Sequence, residues 1–152
     1  MPYPQYLQSY ADVDVLLDTF PYPGGTTTAE ALWMGVPTLT LAQPGMLGRQ
    51  GQGILSAAGL SQWVTHTQDQ YVAAGQSLAR KESALLLSAQ ALRRHPQAVH
   101  ASALFDTRQF VQDWCAALRS AWRTRCAEIN TTLLTGSFHE NRQDLSPQSA
   151  GN

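Results

Sequence analysis

One stretch, residues 20–37, constrains the fold of this chain more than any other. It reads FPYPGGTTTAEALWMGVP, a turn rich in Pro and Gly, a run of threonines, one acid and a short apolar helix that stops at Gly35. An apolar run at 13–17 precedes it and another at 36–41 follows it. Short, nearly continuous apolar runs are typical of strands in a parallel sheet covered on both faces. The stretch therefore predicts a strand–loop–helix–strand unit with its helix at about 27–34.

The start of this helix is a candidate anion-binding site. The first N–H groups of a helix lack partners within it, and the helix dipole adds partial positive charge at the same end. Phosphate is the usual ligand of such an end. Small or hydroxyl-bearing residues surround it here: Gly24, Gly25, Thr26, Thr27 and Thr28. We expect one of the two glycines to adopt a positive φ. The hypothesis is that this turn holds the phosphates of a nucleotide, and a merely solubilising turn is the alternative.

More units of the same kind follow along the chain. Strands are predicted at 38–41 and 63–65, and helices at 46–58 and 68–79. This alternation with short connections predicts an α/β fold, a Rossmann-like half-domain of about three parallel strands with right-handed crossover helices. On the helices predicted at about 27–34, 68–79 and 82–95, the side chains expected to be buried are Ala31, Leu32, Trp33, Tyr71, Val72, Leu78, Leu85, Leu86, Ala89 and Leu92.

Two closing helices are predicted after the sheet, at about 82–95 and 106–127. Apolar residues recur along the second at three- and four-residue spacing, an amphipathic stripe that predicts a core or domain-packing surface. The stripe consists of Phe110, Val111, Trp114, Leu118 and Trp122. Residues 1–127 are therefore expected to form one folded portion. The polar residues 128–152 have little to bury, which predicts a disordered tail.

Composition argues against several functions. The net charge is −1 and the pI near neutral, so nothing favours a nucleic-acid or anionic-membrane partner. The chain starts without a basic segment followed by an apolar one, and no apolar run approaches the roughly 20 residues of a membrane span. Cys115 and Cys126 would lie about 16 Å apart on one helix, beyond the reach of a disulfide. These features predict a cytoplasmic protein with reduced cysteines.

Several charged residues allow two interpretations. Glu30 stands three residues after Thr27, which is the spacing of a capping box, although a carboxylate one turn into a phosphate-binding helix also suits a ribose diol. Asp14 and Asp18 flank the first strand and are expected to accept hydrogen bonds from the loop rather than to form an acid–base pair. Arg49 could face the same cleft, or be a surface arginine or half of an internal ion pair. The four histidines show no ligand spacing, so no metal site is expected.

Four segments of the chain together resemble a known family. They are DVLLDTFPYPGGTTTAEALWMGVP at 14–37, LGRQ at 47–50, AGL at 58–60 and SALFDTRQF at 102–110. All four are similar to the catalytic C-terminus of the bacterial O-GlcNAc transferase/SPINDLY-like glycosyltransferases. The resemblance covers about residues 6–127, most of the chain.

The resemblance implies a GT-B glycosyltransferase, in which two Rossmann-like domains face each other across a cleft. This chain would be the C-terminal part of the domain that binds the UDP-sugar. The family's diphosphate-binding residues match Gly24, Gly25, Thr26 and Thr27, with Thr28 adjacent. Its ribose-binding acid matches Glu30, and Arg49 is a further candidate. Animal members have a histidine where this chain has Gly25 and another where it has Tyr6.

The resemblance also implies an activity, the transfer of GlcNAc from UDP-GlcNAc to serine and threonine hydroxyls of an acceptor protein, without a metal or another cofactor. The catalytic residues would lie upstream of residue 1, in an N-terminal GT-B half that tetratricopeptide repeats usually precede. This chain alone is then expected to be inactive. Two alternatives remain open at this point: a truncated, non-catalytic nucleotide-binding or interaction fragment, and a relative that uses UDP-glucose to glycosylate asparagine.

Overall fold

A computed structural model describes residues 2–134 of the chain. These residues fall into two compact units, one ending at Phe110 and the other beginning at Val111. The first unit contains a sheet of three parallel strands in the order β1-β2-β3, with Leu16 beside Thr38 and Leu41 beside Thr65. The strands are β1 (Leu16–Leu17), β2 (Thr38–Leu41) and β3 (Val64–Thr65). The predicted number of strands and their parallel direction are confirmed.

Helices connect and follow the strands. They are α1 (Tyr3–Gln8), α2 (Thr26–Trp33), α3 (Gly45–Gly48), α4 (Gln50–Ala57), α5 (Gln68–Ala79), α6 (Leu85–Arg94), α7 (Gln97–His100) and α8 (Thr107–Leu134). Short 3₁₀ turns precede β1 and β3. No helix within residues 2–134 has the length and apolar character needed to cross a membrane.

The main core lies between the sheet and the helices. Leu39 of β2 and Leu55 of α4 are fully buried there, together with Trp63 just before β3. The Trp63 indole donates from Nε1 to Ser88 Oγ at 3.2 Å, which satisfies its buried N–H. A second, smaller cluster contains Tyr10, Ala31 and Val36. Helix α2 contributes to both clusters, so its position relative to the sheet is fixed from two sides.

Helix α2 ends where the sequence predicts. Gly35 has φ 77°, its N–H donates to Leu32 O, and the Val36 N–H donates to Ala31 O. These two bonds form a Schellman motif, which needs the left-handed conformation that glycine adopts without strain. Ala31 and Leu32 are buried as predicted, but the prediction for Trp33 is wrong. Trp33 is 46 % exposed. Its ring stacks on the His100 ring, with the two ring centroids 3.9 Å apart.

The predicted helix at 46–58 is divided into α3 and α4 at Arg49. The break follows from a close contact that the sequence does not reveal. The Gln43 N–H donates to Gly48 O at 2.9 Å, and a Cβ on Gly48 would lie 2.8 Å from Gln43 Cβ. Helix α5 has the predicted bounds and buries Leu78, whereas Tyr71 is half-buried and Val72 is exposed.

The closing helices differ more from the predictions. Helix α6 is shorter than 82–95 but presents its predicted apolar face, with Ala89 and Leu92 buried. Helix α8 continues to Leu134, past the predicted end at 127, and residues 135–152 of the predicted tail lie outside the described residues. The stripe on α8 is exposed. The described part of the second unit is a single helix, which cannot bury its own stripe. Cys115 and Cys126 are free thiols, as expected.

Candidate functional site

The loop between β1 and α2 is held by one buried carboxylate. Asp18 is 5 % exposed and accepts two hydrogen bonds, from Gly24 N–H to Oδ1 at 2.7 Å and from Thr40 Oγ1 to Oδ2 at 2.6 Å. The Tyr71 hydroxyl donates to the Asp18 carbonyl at 2.7 Å, and burial raises its pKa, with the Asp18 charge adding to the effect. Asp18 is thus the loop acceptor that the sequence predicts. Asp14 is exposed.

The two loop glycines lie in close contact with neighbouring side chains. Neither Gly24 nor Gly25 has a positive φ, so that prediction is wrong. A Cβ on Gly24 would lie 2.6 Å from Thr27 Oγ1 and 3.3 Å from Asp18 Oδ1. A Cβ on Gly25 would overlap the side-chain amide of Gln50. The loop therefore lies against both the first turn of α2 and the start of α4.

The N-terminus of α2 has no side-chain cap within the described residues. The backbone N–H groups of Thr26, Thr27 and Thr28 precede the first hydrogen bond of the helix, from Ala29 N–H to Gly25 O at 3.1 Å. The capping-box interpretation is wrong because Thr27 lies inside the helix, after the cap position at Gly25. An uncapped helix start with partial positive charge can bind an anion.

The three threonines occupy different environments. Thr26 and Thr27 are exposed, and Thr27 lines a cavity of about 330 Å³ together with Gly24, Asp18 and Tyr6. Thr28 is fully buried, and its hydroxyl donates to Gly24 O at 3.1 Å. Its side chain therefore supports the loop and does not line the open surface. Two of the residues predicted from the sequence as a phosphate site, Gly24 and Thr27, thus border one cavity.

Glu30 lies at the centre of a tyrosine cluster that sequence reasoning missed. Tyr3 donates to Oε1 at 2.9 Å and Tyr6 to Oε2 at 3.0 Å, and the Tyr6 and Tyr10 hydroxyls are 2.8 Å apart. These hydrogen bonds raise the pKa values of Tyr3 and Tyr6, chiefly through Glu30 for Tyr3 and through Tyr10 for Tyr6. The only sequence signal was the three- and four-residue spacing of tyrosines 3, 6 and 10.

Arg49 and its neighbours lie where α4 begins. Arg49 is exposed, and its Nε donates to Gly45 O at 3.1 Å, so the side chain closes the turn of α3. Gln50 is the residue that contacts the glycine loop. A Cβ on Gly51 would overlap Thr40 Oγ1 and lie 2.7 Å from Asp18 Oδ2, so α4 is pressed against the Asp18 network. The sequence pattern indicates Arg49 as a candidate but does not indicate that Gln50 contacts the loop.

Two further features lie away from this loop. A larger cavity of about 600 Å³ borders β1, α5 and α6, with Lys81, Arg93 and Arg94 in its wall. Arg93 donates to Tyr10 O at 3.0 Å and also to Val13 O, which ties α6 to the segment before β1. Within residues 2–134, no group of three or more His, Cys, Asp or Glu side chains is arranged to hold a metal ion.

A sheet of three parallel strands connected by helices defines the α/β, Rossmann-like class of fold. Comparisons with known proteins narrow this class. The model of glycosyl transferase family 41 matches residues 8–114. An O-GlcNAc transferase mutant from Thermobaculum terrenum has a similar structure, with a TM-score of 0.70 and 37 % identity over 85 % of this chain and 24 % of that one.

The curated relatives agree with this match. One relative is a Hordeum vulgare protein named probable UDP-N-acetylglucosamine–peptide N-acetylglucosaminyltransferase SPINDLY. The two are 37 % identical over 121 residues, and these residues make up 80 % of this chain and 12 % of that protein. The chain is also 31 % identical over 116 residues to the SEC protein of Arabidopsis thaliana. These residues make up 75 % of this chain and 12 % of that protein. The chain therefore belongs to glycosyl transferase family 41 and has the predicted fold class, a Rossmann-like part of a GT-B glycosyltransferase.

Proposed function

We propose that this chain is the donor-binding part of a glycosyltransferase that moves GlcNAc from UDP-GlcNAc to serine and threonine hydroxyls of proteins. Family membership supports the reaction class, and the names of the relatives support this donor and a peptide acceptor. The observation that carries the proposal is the uncapped N-terminus of α2 beside the cavity that Gly24 and Thr27 border. The chain spans only about an eighth of the curated relatives, so the whole reaction requires other parts of a longer protein.

In this proposal the chain stabilises the leaving group. Transfer forms a bond between the acceptor oxygen and the sugar C1 and breaks the bond from C1 to the UDP oxygen, so negative charge grows on the diphosphate. The N–H groups of Thr26 to Thr28, the hydroxyls of Thr26 and Thr27 and the α2 dipole stabilise that charge in fixed positions. The proton of the acceptor hydroxyl goes to a base outside this chain.

The other proposed contacts follow from this arrangement. Glu30, one turn further along α2, accepts hydrogen bonds from the ribose hydroxyls. Arg49 is exposed at the start of α4 and is a candidate contact at the edge of the site. The N-terminal GT-B half and the acceptor protein are the proposed partners. The absence of a cofactor and a cytoplasmic location both stay predictions.

A UDP titration tests the site. A ligand present at about 100 times its dissociation constant stabilises the folded protein by about 2.7 kcal/mol. We therefore expect UDP at that concentration to raise the melting temperature by about 5–10 °C. The double variant Thr26→Ala/Thr27→Ala should keep the unliganded melting temperature, since both side chains are exposed, and lose most of the UDP shift. Thr124→Ala, an exposed position on α8, is the matched control.

The outcomes separate the proposal from its alternatives. A folded wild-type chain whose melting temperature does not respond to UDP would remove the donor-site claim. A UDP response in this chain without transferase activity fits the donor-binding part of a longer enzyme. Product analysis of the longer protein with UDP-GlcNAc and UDP-glucose then identifies the sugar, and transfer of glucose to asparagine would contradict the proposed reaction.

A further inference from the structure

We infer that Tyr3 and Tyr6 are positioning residues that hold the Glu30 carboxylate so that it accepts both hydroxyls of a ribose diol. This inference rests on the proposed function, because it concerns how the donor nucleotide is recognised. Its consequence is a preference for ribonucleotides over 2′-deoxyribonucleotides that depends on the tyrosine hydroxyls.

The two tyrosines bind different oxygens of one carboxylate. Tyr3 reaches Oε1 at 2.9 Å and Tyr6 reaches Oε2 at 3.0 Å, so the Glu30 carboxylate is held at both ends. An ionised carboxylate has about four acceptor positions. The tyrosines use one on each oxygen, which leaves one on each oxygen for a ligand. Two acceptor positions at fixed separation match a vicinal diol, whereas an unrestrained glutamate would lose rotamer freedom on binding.

A third tyrosine, Tyr10, determines the direction of the hydrogen bonds in the cluster. Each hydroxyl has a single proton, and the Tyr6 proton is used on Glu30. In the 2.8 Å pair of Tyr6 and Tyr10, the donor must therefore be Tyr10. The alternative acceptor for Tyr10, Thr27 O, is further away at 3.4 Å. The chain Tyr10 to Tyr6 to Glu30 thus points its donors at the carboxylate, and each bond polarises the next.

Ring packing and helix geometry support this arrangement. The Tyr6 ring lies 6.1 Å from that of Tyr3 and 5.6 Å from that of Tyr10, edge to face in the second pair, which fixes where the hydroxyls lie. Glu30 is three residues after Thr27, so both lie on one face of α2 about one turn apart. Tyr6 also borders the cavity that Thr27 lines. In a nucleoside diphosphate the ribose is attached directly to the phosphates, and the cluster lies beside the proposed phosphate site.

The test compares UDP with 2′-deoxy-UDP by calorimetric titration of the full chain. The wild type should bind UDP about tenfold more tightly, the usual effect of one hydrogen bond to a charged group. In Tyr3→Phe/Tyr6→Phe this ratio should fall to about threefold or less, and in Glu30→Ala, which removes the acceptor oxygens, it should approach one. Tyr71→Phe loses a hydroxyl on the Asp18 carbonyl instead. It should lower the melting temperature and keep the wild-type ratio.

Each outcome decides a separate claim. If Tyr3→Phe/Tyr6→Phe is folded and keeps the wild-type ratio, the inference is wrong and the proposed function stands. If the wild type binds the two nucleotides equally, Glu30 does not read the ribose and the inference also fails. If the wild type binds neither, the proposed donor site itself fails. Should the double variant unfold, Tyr3→Phe alone replaces it, because Tyr3 is 60 % exposed, and a partial loss of the ratio is then expected.

Discussion

The backbone N–H of Gly24 donates to Oδ1 of the buried Asp18 carboxylate at 2.7 Å, and this bond joins the end of β1 to the glycine loop before α2. The other oxygen of Asp18 accepts from Thr40 on β2, so one side chain connects two strands and the loop. The position of the proposed phosphate site therefore depends on the Asp18 carboxylate, a residue that lines the same cavity as Thr27.

Replacement of Asp18 by alanine should lower the free energy of unfolding by about 3–6 kcal/mol. The substitution leaves the Gly24 N–H and the Thr40 hydroxyl without their charged acceptor, and bonds to charged groups contribute about 1.5–3 kcal/mol each. Asp18→Asn should lose less, because its amide oxygen can still accept from Gly24. Urea unfolding measures both. A loss below about 0.5 kcal/mol in Asp18→Ala would show that the network is not structural.

Substitution by alanine should change the stability of the chain in opposite directions at two glycines of α4. Gly51→Ala places a methyl group against Thr40 Oγ1 and Asp18 Oδ2, and overpacking of a buried contact typically costs about 1–3 kcal/mol. Gly53 is exposed with open space around it, so Gly53→Ala should stabilise the chain by about 0.5–1 kcal/mol. Thermal unfolding of the pair tests the contact. Equal effects would contradict it.

Two threonines of β2 form a second matched pair. Among the described residues, buried Thr38 Oγ1 has no hydrogen-bond partner, so Thr38→Val should be neutral or stabilising by about 1 kcal/mol. Thr40→Val removes the donor to Asp18 and should destabilise by about 1.5–3 kcal/mol. The urea concentrations at the unfolding midpoints compare the stabilities of the two variants. A loss above about 1 kcal/mol in Thr38→Val would mean that its hydroxyl has a partner.

Lys81 has a left-handed backbone conformation, with φ 60°, just after α5. A non-glycine residue is strained there by roughly 1 kcal/mol, so Lys81→Gly should raise the free energy of unfolding by up to about that amount. Arg80 is the control, because its φ of −80° is helical and Arg80→Gly should destabilise. Stabilisation by both variants, or by neither, would contradict the geometry.

The features that the sequence predicts well are local ones. Helix α5 has its predicted bounds because Thr67 caps it, accepting from Gln70 N–H at 3.2 Å, and such a signal lies within a few residues. Gly35 is recognisable as the residue after α2 for the same reason. The order of strands and helices follows from apolar runs and turns, which are also local patterns.

The features that it missed depend on contacts between distant residues. Tyr3 and Glu30 are 27 residues apart, and Asp18 and Thr40 are 22 apart. The sequence marks Gly25 as special but does not show that Gln50 lies against it. The stripe on α8 shows a related limit, since periodicity identifies an apolar face but not the surface that covers it.

Amide chemical shifts during a UDP titration test the central claim most directly. In ¹⁵N–¹H spectra of the labelled chain, added UDP should move the amide signals of Gly24, Gly25, Thr26 and Thr27 more than any others. The Thr26→Ala/Thr27→Ala variant should reduce these shifts. Largest shifts around the other cavity, at Lys81, Arg93 and Arg94, would contradict a donor site at the start of α2, as would a spectrum that UDP leaves unchanged.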